Sequence, residues 1–165
     1  AENYVKKVNS YDAYLSGLVD IRYDFQRDRV AFLVKEGDKV VDATGRTLGN
    51  NKPKWLRYGG NKLPFVCGTS DNVFIVEDCP SACSVSHLVT GMALMGTSLL
   101  DEHIQGIRNY KKIFVALDKD ATSKAFMMVR RLHSYVPSKL VILQEDLKNM
   151  EKEKRDELIN NHISR

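Results

Sequence analysis

Two short apolar runs in this chain break off abruptly in acid. Val73-Phe74-Ile75-Val76-Glu77 and Ile113-Phe114-Val115-Ala116-Leu117-Asp118-Lys119-Asp120 are rich in β-branched and aromatic residues, and each closes on carboxylate. Each reads as a buried strand that delivers acid to its C-terminal end. In an open α/β sheet the ligand crevice lies outside the carboxyl ends of the strands, so Glu77, Asp118 and Asp120 are expected to converge. Asp118 and Asp120 point the same way if the strand continues through them. Carboxylates gathered in one place repel each other unless positive charge sits between them. Hard divalent cations take oxygen ligands, and Mg²⁺ is typically held by one or two carboxylates together with substrate phosphates. The expected chemistry is phosphoryl or nucleotidyl transfer, with Glu77, Asp118 and Asp120 as candidate catalytic and metal-ligating residues. For Asp120 the alternative is simply to cap the helix that follows.

A second constellation is basic. Between Asp42 and Asp71 there is no acidic residue, whereas Arg46, Lys52, Lys54, Arg57 and Lys62 are all cationic. Inside that window Pro53-Lys54-Trp55-Leu56-Arg57-Tyr58-Gly59 alternates cationic and aromatic side chains on an expected strand. Cations there can meet phosphates while Trp55 or Tyr58 stacks on a base or sugar. The competing reading is a solvated loop with Trp55 anchored in the core. Of the formal net charge of +4, all the excess lies before residue 71, with 12 Lys or Arg against 8 Asp or Glu there and 13 of each afterwards. A basic annex beside a neutral, acid-bearing domain suits a polyanionic substrate.

These residues must be positioned by a scaffold, and its pattern is legible. Ser10 is a plausible N-cap for a short helix carrying Tyr11, Tyr14, Leu15 and Leu18, with Gly17 ending it. Val30–Val34 and Lys39–Thr44, joined at Glu36-Gly37-Asp38, read as a β-hairpin. After Glu77, Pro80 opens a helix expected to run to Thr90 and end at Gly91. Met92–Met95 is a second strand that closes on Gly96-Thr97-Ser98, which either offers N–H groups and hydroxyls to a phosphate or merely turns the chain. A helix over 99–109 leads into the strand of the acidic pair. The next, over 121–135, places Ala121, Ala125, Met128, Val129, Leu132 and Val136 on a core stripe. Lys139–Leu143 is a fourth strand running into Glu145-Asp146, and a charged terminal helix follows Lys148. Cys79, Cys83 and His87 share a helical face with Cys67 upstream, a spacing that matches no standard finger and reads better as a thiol-lined core face than as a zinc site. Three unpaired thiols fit a reducing compartment.

Four strands alternating with helices imply an α/β fold, a small doubly wound parallel sheet over 71–165, preceded by a basic β-rich N-terminal subdomain over 1–70. At 165 residues and 43% hydrophobic, the chain can bury a real core. No apolar run approaches the ~20 residues that span a bilayer and no secretory leader is visible, so a soluble cytoplasmic protein is expected, in the host cytoplasm if viral. The first residue is Ala1, consistent with a removed initiator or with a piece of a longer chain.

The glutamate that closes one strand and the Asp118-Lys119-Asp120 that closes a later one resemble the signature of the Toprim domain shared by primases, topoisomerases and some nucleases. Val76-Glu77-Asp78-Cys79-Pro80-Ser81-Ala82, Ala93–Leu99, Leu117–Ala121 and Gln144-Glu145-Asp146-Leu147-Lys148 together resemble bacteriophage-type DNA primases. The run Lys54–Tyr58 and the preceding Asp42-Ala43-Thr44-Gly45-Arg46 also look like the segment before the Toprim part in those enzymes. The resemblance therefore covers about Val30 to Met150. It departs from the family at Ser81, where many Toprim proteins carry a further aspartate, so that one metal contact is either missing or replaced by Asp78.

The resemblance implies template-directed synthesis of short RNA primers on single-stranded DNA from ribonucleoside triphosphates, with Mg²⁺ or Mn²⁺ as cofactor. It implies that Glu77, Asp118 and Asp120, with Asp78 and Asp146 as further candidates, bind metal. It implies that Arg46, Lys52, Lys54, Trp55, Arg57, Tyr58, Lys119 and Lys148 contact nucleotide or nucleic acid. A replicative helicase or a zinc-binding module, supplied elsewhere, is the implied partner. The alternatives are a Toprim-type nuclease, with water in place of the 3′-hydroxyl, and a noncatalytic nucleic-acid-binding accessory.

Overall fold

The computed structural model describes residues 1–60, 63–95 and 98–165. Lys62 of the basic window, and Gly96 and Thr97 of the expected phosphate turn, lie outside them. Two short helices, α1 (Glu2–Lys7) and α2 (Tyr11–Leu15), precede an antiparallel sheet of β1 (Ile21–Asp24), β2 (Arg29–Glu36), β3 (Lys39–Thr47) and β4 (Trp55–Arg57), in that spatial order. Gly17, just beyond α2, has φ +81°, the left-handed conformation that ends a helix. The β2–β3 hairpin turns at Gly37, whose φ of +65° suits the tight connection between paired Glu36 and Lys39.

The second sheet uses β5 (Phe65–Cys67), β6 (Asn72–Val76), β7 (Thr90–Ala93), β8 (Lys112–Val115) and β9 (Ser138–Leu140) in the order β5-β7-β6-β8-β9. β7, β6, β8 and β9 are parallel, and β5 is an antiparallel edge strand. Helices α3 (Cys79–Val85), α4 (Asp101–Ile107) and α5 (Thr122–Leu132) fill the connections, and α6 (Lys152–Ile163) closes the chain. The continuous apolar character of β6 has a direct cause, since both faces of the sheet are covered. Phe74 and Val76 enter one core with Phe32, Phe65, Phe114 and Ile159, whereas Val73 and Ile75 enter the other with Ile107, Ile113, Met128 and Leu132. From β6 the chain moves outward to β7, then returns to place β8 on the other side of β6. The reversal of strand order, where such sheets open a crevice, falls between the strands that end near Glu77 and Asp118.

Several elements differ from expectation for local reasons. α3 stops at Val85, and Gly91 is a strand residue: a Cβ there would lie 2.2 Å from the carbonyl oxygen of Ala82, so the glycine lets α3 approach β7. β8 stops at Val115 and β9 covers only Ser138–Leu140. α1, β1 and β5 are too short to leave a periodic signal. A boundary at residue 70 falls between β5 and β6, two strands of one sheet, and the core that holds Val30, Phe32 and Val34 of β2 continues into Phe65 and Phe74. Among the described residues no helix is long and apolar enough to cross a membrane.

Candidate active site

Glu77 follows the last residue of β6, Asp118 stands shortly after β8, and Asp146 stands beyond β9, so three neighbouring parallel strands deliver an acid each. Backbone bonds extend the pairing past the strand ends, with Ala116 N donating to Ile75 O (2.9 Å) and Val141 N to Val115 O (2.9 Å). The three carboxyl groups sit together with Asp118 in the middle, close enough to act on Glu77 on one side and Asp146 on the other. Burial, then the Glu77 carboxylate, push Asp118 up to about 6. Burial and Asp118 likewise raise Asp146 above the ordinary carboxylate range.

The acids face a cavity of about 410 Å³ whose opposite wall is the antiparallel sheet. Thr44 of β3, Lys54, and Trp55 and Arg57 of β4 line that wall. Trp55 and Arg57 are two apart on a strand and share its inward face. Trp55 is half-buried against Phe32, ring centroids 6.0 Å apart, so it is at once a core anchor and a cavity wall. Arg57 is held on three sides: Nε donates to Asp42 Oδ2 (2.5 Å), one terminal nitrogen to Leu63 O (2.9 Å), and the other lies 3.5 Å from Met95 Sδ. Asp42 has no exposed side-chain surface and also accepts from Ala43 N (2.7 Å) and Gly59 N (2.8 Å). Buried Arg29 donates to the carbonyls of Gly45 (3.0 Å), Pro53 (2.7 Å) and Lys54 (3.3 Å), fixing the segment that enters β4.

Lys148 enters from the 3-10 turn Leu147–Asn149 and pairs with Asp78 Oδ2 (2.5 Å). Burial opposes its charge, but Asp78, Asp146 and Asp118 together hold its pKa above the ordinary lysine value. The other oxygen of Asp78 accepts from Ser81 N (3.0 Å) as the N-cap of α3, so both its oxygens are engaged.

The remaining expected residues stand apart from this cavity. The paired strand ends at Val115 and a 3-10 turn over Lys119–Ala121 separates Asp118 from Asp120, so the alternation that would align the two does not hold. Lys119 and Asp120 are exposed and do not line the cavity. Arg46 donates to Thr47 O (2.8 Å), and Lys52 is exposed outside the lining. Tyr58 takes the opposite direction from Arg57, crossing Gly45 to donate to Asp24 Oδ2 (2.6 Å). Thr44, Met95, Asp42 and Arg29 were not anticipated. Only Asp42 left a trace, as the last acid before the acid-free window. The three cysteines are free and buried, and His87 turns to Asp156 (2.7 Å), as a thiol-lined core requires.

Hard carboxylate oxygens with raised pKa values are the donor chemistry a divalent cation takes. Among the described residues no group of three His, Cys, Asp or Glu is arranged to hold an ion alone. The set therefore fits an ion that takes one or two protein carboxylates and completes its shell with water and phosphate oxygens.

The two sheets and the site between them define a class. The fold is that of the DnaG primase catalytic core, of which the Toprim domain is part. The E. coli primase catalytic core superposes with a TM-score of 0.71 at 19% identity, covering 99% of this chain and 63% of that one. A DNA primase domain from Pseudomonas aeruginosa gives 0.70 at 22%, covering 94% and 58%. A DnaG primase catalytic domain bound to ssDNA gives 0.69 at 19%, covering 97% and 62%. By sequence the chain is homologous to DNA primase: it is 30% identical over 117 residues to the DNA primase of Halalkalibacterium halodurans, a match that takes in 61% of this chain. The match spans one fifth, 20%, of that primase's length. No family model matches the chain.

Proposed function

We propose that this chain carries a metal-dependent nucleotidyl-transfer centre that synthesises short RNA primers on single-stranded DNA, as the catalytic core of a phage-type primase. One observation carries the reading: the Glu77–Asp118–Asp146 carboxyl cluster shares a cavity with Lys54, Arg57 and Lys148. Homology to DNA primase and a fold neighbour bound to ssDNA support it.

Glu77 and Asp118 hold the Mg²⁺ or Mn²⁺, with Asp146 adjoining. The ion supplies Lewis-acid charge for the triphosphate and for the attacking 3′-hydroxyl. Arg57, already immobilised by Asp42, orients a phosphate with little ordering cost at the moment of binding, and Lys54 adds positive charge from the rim. Lys148 balances the acids and meets a phosphate oxygen, with Asp78 as its positioning residue. Trp55 offers a face to a base or sugar. Asp120 as a further ligand, and Lys119 as a counter-charge to departing pyrophosphate, require the exposed turn that carries them to move toward the cavity. Arg46, Lys52 and Tyr58 lie on the path of the template. A helicase or zinc-binding module supplies site choice.

The test is incubation of the purified chain with single-stranded DNA, labelled ribonucleotides and Mg²⁺ or Mn²⁺, beside a Glu77→Gln, Asp118→Asn double variant. Short labelled RNA from the wild type alone is expected. DNA cleavage without RNA would replace the reading with a nuclease, and DNA binding without either product would favour an accessory.

A further inference from the structure

Tyr11 and Tyr14 are three residues apart on α2, and the fold brings Tyr23 of β1 to the same cavity, of about 330 Å³. The buried apolar side chains of Val5, Ile21 and Val30 complete its lining. A volume of this size, walled by apolar and aromatic groups with few polar ones, is at the low end for small-ligand sites. Two of the rings are held at their hydroxyls, since Tyr11 OH donates to Glu2 Oε1 (3.1 Å) and Tyr23 OH to Asp28 Oδ1 (2.8 Å). Tyr14 stands beside Tyr11 with ring centroids 6.2 Å apart. Tyr14 nevertheless remains 43% exposed and Tyr23 48%, so preformed ring surface is left open to solvent.

Charge at this cavity is already matched. Glu2 is met by Lys6 at 3.4 Å, and Arg22 on the rim pairs with Asp20 at 3.1 Å. What the cavity offers a ligand is therefore ring face rather than net charge. Its place on the sheet indicates which flat ligand. Tyr23 of β1 is paired with Val30 of β2, Val30 with Arg46 of β3, and Arg46 with Trp55 of β4. Residues directly opposite on adjacent strands share a face. One cross-strand row thus runs from Trp55, which lines the carboxylate cavity, past cationic Arg46 to Tyr23, which lines the tyrosine cavity. Its ends are three strand spacings apart, about 14 Å. Aromatic rings at either end with a cation between them match a single-strand platform, where bases stack on rings and the intervening backbone meets positive charge.

We propose that the tyrosine cavity is a subsite for one unpaired base of the same single strand that enters the carboxylate cavity, held by stacking on Tyr14 and Tyr23. The proposal rests on the reading of this chain as a single-strand binder and deepens it, because it places a base contact on α2 and β1, outside the acid-free cationic window. Stacking accepts every base, so the subsite adds affinity without adding sequence preference. The paired charges around it release no counterions on binding, so its contribution is independent of salt.

The test measures binding of the purified chain to a fluorescently labelled single-stranded oligonucleotide by anisotropy over a range of salt concentrations. Tyr14→Leu, which keeps an apolar side chain at an exposed position, is expected to weaken binding about tenfold at every salt concentration and to leave the slope of log K against log[salt] unchanged. Tyr14→Trp, which restores a ring, is expected to recover the affinity, and Tyr23→Leu to behave as Tyr14→Leu does. Lys54→Ala is the converse control, since it lowers the salt slope. Wild-type affinity in both leucine variants, or a Tyr14→Trp chain as weak as Tyr14→Leu, would overturn the subsite and leave the single-strand reading standing. A wild-type chain that binds no oligonucleotide removes both. A nucleoside monophosphate that saturates the Tyr14 ring signals in NMR and is not displaced by the oligonucleotide assigns the cavity to a free nucleotide and overturns the strand.

Discussion

The two walls of the candidate site follow opposite electrostatic plans. On the antiparallel-sheet side Arg57 is matched by fully buried Asp42 and fixed by further contacts, so its charge is in place before any ligand arrives. On the parallel-sheet side Glu77, Asp118 and Asp146 crowd together, and the middle acid is pushed up to about 6 because its charged form is poorly accommodated. One wall is preorganised and self-sufficient. The other is a store of unfavourable charge that a cation would relieve, which is how a binding site differs from a structural ion pair.

The contrast can be broken most severely on the acid side. Asp118→Asn should lower primer synthesis by at least about 10²-fold, measured as labelled RNA per unit time, while the protein stays folded by circular dichroism. A mutant that lost its fold instead would show that the crowded acids stabilise rather than strain the structure.

The cationic side should answer oppositely. Asp42→Ala leaves Arg57 and Gly59 N–H without their acceptor, and a loss of about 2–3 kcal/mol is expected in urea unfolding, at the low end for a broken buried pair because Arg57 is partly exposed. In thermal unfolding that is a fall of roughly 5–10 °C. If Asp42→Ala cost nothing, Arg57 would not be preorganised.

A third, smaller effect concerns pH. Asp118 has a folded-state pKa of about 6, above the ordinary 3.8. Its contribution to stability is therefore complete below about 4 and is lost as pH rises through about 6. The metal-free wild type should lose thermal stability across that window relative to Asp118→Asn, and Mg²⁺ at neutral pH should restore it in the wild type alone. Parallel Tm–pH curves for the two proteins would refute the assignment. The smallest change expected is at Lys54, exposed on the cavity rim. Lys54→Ala should weaken single-strand binding modestly and reduce the salt slope by about 1.

Glu77 and Asp118 were legible because burial on both sheet faces forces an uninterrupted apolar run, and an acid closing such a run is conspicuous. Trp55 and Arg57 were legible as alternation within an acid-free window, but the same alternation sent Tyr58 away to Asp24. Asp120 shows the limit of period-two reasoning. Asp118 and Asp120 align only while the strand continues, and this one ends at Val115 and turns at Lys119, between the two acids.

The sequence by itself determined the kinds of element, the sheet's doubly covered character and the acids at its strand ends, because periodicity and abrupt polarity changes are local properties of the chain. Only the tertiary structure decided that Asp146 joins Glu77 and Asp118, that Asp42 holds Arg57, and that Arg29 pins the approach to β4. Each of these is a pairing of side chains with backbone or charge far along the chain, so each depends on which strands and helices become neighbours, and no spacing in the sequence encodes that.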